Sequence, residues 1–263
     1  MAILPNELLS EICSHADIAT LKQLRLTDRS FNVMSSKFLF EEIEFILLPE
    51  SIEKAQKIMG HSTLRHLVTT LRYFGSRLNS SLGIFEKWKS YALHVFTDGL
   101  SPDSLASWEK FCRFLSEQSI LAQDGTESDI FGVACSQLPN LTTVELRGED
   151  WEEFEYRQRS PYHSVARQCL LTVHYAFKSG STSIDLSWSP HMSLIKSLAD
   201  ITNKVVKLHL EDVPWSSHAD ITNRIFYLNA RPYIAPRLGC LLSLTLDFWV
   251  HGISLYVIPG AFH

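Results

Sequence analysis

Eleven histidines and five cysteines are the side chains of this 263-residue chain with the widest chemical range, and their spacing decides what they could do. His61 and His66 stand five positions apart, which on a helix turns the rings away from each other. No second histidine pair carries ligand spacing to a cysteine or a carboxylate, so surface or capping histidines are the better reading and no metal is expected. Cys13, Cys112, Cys135, Cys169 and Cys240 are odd in number, scattered, and never arranged as C-x-x-C, which argues against a disulfide framework and a zinc site and for buried thiols. The acidic stretch Asp124 to Asp129 lacks the ligand spacing and terminal Glu of a calcium loop and reads as a solvated turn between helices.

The G-x-S-x-G elbow, the P-loop, the G-x-G-x-x-G turn and the H-E-x-x-H helix do not occur, and 11 glycines leave little for a phosphate cradle. The chain is expected to be non-enzymatic and to need no cofactor. A hydrolase whose groups meet only after folding is the enzymatic alternative, and it requires a polar pocket with a Ser or Cys near a His. The acidic run from Gly148 to Ser160 embeds Trp151, Phe154 and Tyr156. Such runs are mostly solvated loops, but these three rings are the candidates for a substrate-recognition patch.

A formal charge of −5 supplies no net positive field, so nucleic acid is not an expected partner. No segment approaches the roughly 20 apolar residues of a membrane helix, and the N-terminus lacks the basic start and apolar run of a signal peptide. The expectation is a soluble chain of the cytoplasm or nucleus, without a membrane partner. The Asn-x-Ser/Thr sequons at Asn79 and Asn140 would matter only in a secreted protein. With 45% hydrophobic and 20% charged residues the composition is that of a folded globular chain.

The elements that would position a binding surface begin at once. Leu4-Pro5-Asn6 leads into a helix over Glu7 to His15, where Leu8, Leu9 and Ile12 recur at helical spacing and Pro5 is tolerated in the first turn. Asp17 caps a second helix, Ile18 to Leu26, with Ile18, Leu21 and Leu24 in one stripe. Asp28 caps a third, through Phe40, on which Phe31, Met34, Phe38 and Leu39 face one way. Three helices of this length carry more apolar positions than they can bury among themselves, so part of the stripe should stay open to another protein.

The run LPNELLSEICSHADIATLKQLRLTDRSF resembles the F-box. Leu4-Pro5, Glu7-Leu8-Leu9, Ile12, Asp17, Leu21, Leu24-Arg25-Leu26, Arg29 and Phe31 fall in the family's order and spacing, over the first 45 residues only. Ala16 replaces a large aliphatic, Thr27 a Val, and Asp28 a Cys or Ser, departures that could loosen the docking surface. The resemblance implies a partner, the Skp adaptor subunit of Skp-cullin-F-box ubiquitin ligases and through it a cullin. It also implies a docking face around Leu4, Pro5, Leu8, Leu9, Ile12, Leu21 and Leu24. The plainer alternative is a helical cap over the core that follows.

Beyond the first 45 residues a weak repeat recurs. Leu138, Leu141, Val144 and Leu146 form an L-x-x-L-x-x-V-x-L pattern that Leu238, Leu241, Leu244 and Leu246 repeat, and Val205, Leu208 and Leu210 keep its core. Each reads as a turn into a short strand; Ile184 with Leu186, and Leu71 with Tyr73, mark two more. Spacings of 40, 24 and 36 residues separate Val144, Ile184, Leu208 and Leu244, uneven beside the usual 20 to 29 or so.

Helices fill the intervals. One opens at Ser101-Pro102 with Leu105, Trp108, Cys112 and Leu115; another opens at Ser160-Pro161, runs through Tyr162, Val165, Ala166, Cys169, Leu170, Val173 and Phe177, and closes at Gly180. Others are expected over Ser51 to Met59, Ile84 to Val95, Ser193 to Ala199 and Ala219 to Leu228. The segment HSTLRHLVTTLRYF is similar to the stretch after the F-box in many fungal F-box proteins.

The expected fold class is therefore α/β: an N-terminal three-helix F-box, residues 1–45, then an irregular leucine-rich-repeat-like solenoid over 46–263 with parallel strands and crossover helices. The apolar end after the last repeat strand is read as a strand covered in a dimer or, the favoured reading, as a truncated product of a longer frame. Function follows as a substrate-recognition adaptor holding an unknown protein substrate, with a leucine-rich scaffold outside any ligase as the alternative.

Overall fold

The computed structural model describes residues 4–92, 102–147 and 161–178, together with the backbone of strands at 207–213, 243–248 and 253–257. Three helices open it: α1 (Asn6–His15), α2 (Ile18–Leu24) and α3 (Arg29–Phe40). The expected caps are in place. The Asp17 carboxylate accepts from the Thr20 N–H at 2.7 Å, and the Asp28 carboxylate accepts from Ser30 and Phe31 N–H groups at 2.7 and 3.0 Å. The second helix stops at Leu24, two residues earlier than expected, where the Thr27 hydroxyl donates to the Leu24 carbonyl at 2.7 Å and closes the turn.

Helices α1 and α2 both pack on α3. Leu9, Cys13, Leu21, Ser35 and Ser36 are all buried, with the Cys13 sulfur 3.6 Å from the Ser35 hydroxyl. Phe31, Met34, Phe38 and Leu39, expected to face one way on α3, are all half-buried.

Strands β1 (Glu42–Ile46), β2 (Thr70–Phe74), β4 (Thr143–Arg147), β6 (Lys207–Val213) and β7 (Ser243–Phe248) follow one another across a parallel sheet, and β8 (Ile253–Val257) completes it, antiparallel to β7. The short strands β3 (Arg77–Leu78) and β5 (Phe177–Lys178) pair apart from it, antiparallel. The class is mixed α/β with a small parallel sheet. Two expectations change: β8 and the β3–β5 pair break the all-parallel pattern, and a division after residue 45 would cut β1. The alternation of Ile43 and Phe45 with Glu42 and Glu44 makes that segment a strand in register with Leu71 and Tyr73.

Alternate residues send two different faces outward. Ile43, Phe45, Leu71, Tyr73, Val144 and Leu146 pack against α4 (Pro49–Gly60) and α7 (Thr126–Gln137), around Met59 and Phe131. On the other face, Ile46 and Phe74 join a second core beneath α5 (Phe85–Ala92), α6 (Pro102–Gln123) and α8 (Pro161–Gln168), around Trp88, Phe111 and Tyr162. The buried Trp88 indole there donates to the Cys169 carbonyl at 3.2 Å, and the buried Gln118 bridges the Leu78 N–H and the Leu47 carbonyl at 2.8 and 3.3 Å.

Two helices differ from expectation. On α6 the buried positions are Ser104, Phe111, Phe114 and Gln118, while Leu105 is exposed and Trp108, Cys112 and Leu115 are half-buried, so the inward stripe is rotated. The long helix expected after Pro161 ends at Gln168. Leu170 takes φ +55°, and the Leu171 and Leu170 N–H groups close back onto the Ala166 and Arg167 carbonyls at 2.9 and 3.2 Å, a Schellman stop built without glycine. A single turn, α9 (Val173–Ala176), then delivers Phe177 to β5. The closure at Gly180, the strand at Ile184 and Leu186, and the helices at 193–199 and 219–228 lie outside the described residues, as do Val205, Leu238 and Leu241.

Candidate partner-docking surface

Helix α1 is two-faced because its apolar residues are spaced for two sides. Leu9 and Cys13 turn inward onto α3, whereas Leu4, Leu8 and Ile12, four apart and on one side, keep 43, 51 and 44% of their surface exposed. Pro5 is exposed beside them. Of the seven residues expected to form one docking face, four are therefore open together, Leu24 is half-buried, and Leu9 and Leu21 are sealed inside the trio. Those two act as supports of the surface, since the interior of a three-helix unit has to be filled by some of the same stripe. Leu26 and Val33 add two more open aliphatics on the trio.

Among the described residues of the body, three charged or reactive groupings stand out. Across β1, β2 and β4 the register lines up Glu44, Arg72 and Glu145. The nearly buried Arg72 guanidinium donates to Glu145 at 2.7 Å, Glu44 at 2.6 Å and Glu42 at 2.9 Å, and Arg147 donates to Glu145 at 3.1 Å. Burial alone would raise the Glu145 carboxyl, but the hydrogen bond and charge of Arg72, with Arg147 adding to them, outweigh it and hold the group below the usual range.

The second grouping sits behind the other sheet face. Glu127, buried in the first turn of α7, accepts from the Tyr73 hydroxyl and from Arg77 at 2.8 Å, and Arg77 also donates to the Tyr73 oxygen at 2.9 Å. Burial, foremost, pushes the Tyr73 phenol well above its ordinary value, so it remains a donor. Glu127 belongs to the stretch expected to be a solvated turn. The turn itself is there, with Gly125 at φ +83° and Asp124 accepting from the Thr126 N–H at 2.9 Å, but Glu127 points inward and ties α7 to β2 and β3.

The third grouping is the thiols. Burial pushes Cys135 and Cys169 up to about 12 and raises Cys112, so these sulfurs are protonated at neutral pH and poor nucleophiles. The His61 ring nitrogen accepts from Thr63 and Leu64 N–H groups at 3.2 and 3.3 Å, a capping role. Both sequon asparagines also work as local braces: Asn79 accepts from the Ser81 N–H at 3.2 Å and Asn140 donates to the His66 carbonyl at 2.6 Å. Among the described residues no group of three His, Cys, Asp or Glu could hold a metal ion, and no helix is long and apolar enough to cross a membrane. Trp151, Phe154 and Tyr156 lie outside the described residues.

No known protein decides the matter. Neither a protein-family model, nor a curated protein, nor a solved structure matches the chain. The Arg72 ladder and the Tyr73–Arg77–Glu127 cluster escaped the sequence reading because each joins residues 28 to 73 positions apart. A signal for the first was present: Glu44, Arg72 and Glu145 each hold the polar phase of an alternating strand.

Proposed function

We propose that this chain is the substrate-recognition adaptor of a Skp-cullin-F-box ubiquitin ligase, joined to the Skp adaptor through its opening helices. The observation that carries the reading is the exposed row Leu4, Leu8 and Ile12 on a helix whose other side is already used. Burying one aliphatic side chain is worth about 1.5 to 3 kcal/mol, and a few such side chains dominate most interfaces. The scaffold alternative, outside any ligase, requires the body to cover this row; what favours the ligase is that the row lies open.

The body is read as an irregular leucine-rich-repeat-like solenoid. Supporting that are parallel strands that succeed one another in chain order and hold Ile43, Leu71, Val144, Leu208 and Leu244 in one register row, with Phe45, Tyr73, Leu146, Leu210 and Leu246 in the next. Such a body would hold a substrate near a charged conjugating enzyme and accelerate transfer through effective concentration, with no catalytic group of its own.

Co-expression with the Skp adaptor tests the reading. The wild-type chain is expected to retain the adaptor and a cullin on affinity purification, and Leu8→Asp or Ile12→Asp to lose both. Equal recovery of the adaptor with wild type and both variants, or no recovery with any of them, overturns it.

A further inference from the structure

We draw no further inference here: the strongest candidate, the cleft where the end of β1 meets the start of α4 and the sides of α6 and α8, has its rim carboxylate Glu44 already paired with Arg72 at 2.6 Å, and nothing in the structure shows what covers it.

Discussion

In the body, Phe45, Tyr73 and Phe131 are sealed from water with ring centroids 4.8 to 5.8 Å apart, whereas in the opening helices Leu4, Leu8, Ile12, Leu26 and Val33 remain in contact with solvent. The two regions have similar apolar material and use it differently. The sheet has a helix layer against one face and a second core at the far end of the other, so alternate residues from both faces find cover. The trio closes over Leu9, Cys13, Leu21 and two serines, and leaves Leu4, Leu8, Ile12, Leu26 and Val33 exposed. An interior that small and partly polar contributes little burial free energy, so the trio would gain more than the body from having its open aliphatics covered.

The sharpest test of that contrast is Phe131→Ala, which removes a ring touching both Phe45 and Tyr73. A loss of about 3 to 5 kcal/mol in urea unfolding is expected. Glu127→Ala comes next. It leaves Arg77 and the buried Tyr73 hydroxyl without their shared acceptor, for a loss of about 2 to 3 kcal/mol in the same measurement. A loss under about 0.5 kcal/mol in either variant would break the picture of a tightly determined body.

The Arg72 ladder should make the body acid-sensitive. The Glu145 carboxyl is depressed in the folded chain relative to an unfolded value near 4.3, so its contribution is fully present above that value and is lost as pH falls through the lower, folded one. The melting temperature is expected to drop as pH goes from about 5 to below 4, and Glu145→Gln to flatten that decline. An unchanged slope in the variant would show that other carboxylates govern it. Smallest of all, Leu8→Asp should shift the stability of the isolated chain by no more than about 0.5 kcal/mol, because Leu8 is already half in water. A large loss there would mean that the row is covered and would erase the difference between the two regions.

Much of the fold could be read from local pattern. Asp17 and Asp28 announce their helices because a cap needs only a side-chain oxygen and an N–H two or three residues on. Leu71, Val144, Leu208 and Leu244 announce their strands because alternation is set by the pleat of each strand alone. The end of α8 was not legible, since its stop uses Leu170 in a left-handed conformation where a glycine would have signalled it.

What the amino-acid order determined by itself is thus everything governed by neighbours within about a turn: caps, strand phase, and the surplus of aliphatic residues in the first helices. Which of those aliphatics face water, and which carboxylates meet Arg72 and Arg77, was settled only by tertiary packing. Leu8 and Leu9 are adjacent and chemically identical, yet one is exposed and the other buried, because only α3 arriving against one side of α1 distinguishes them.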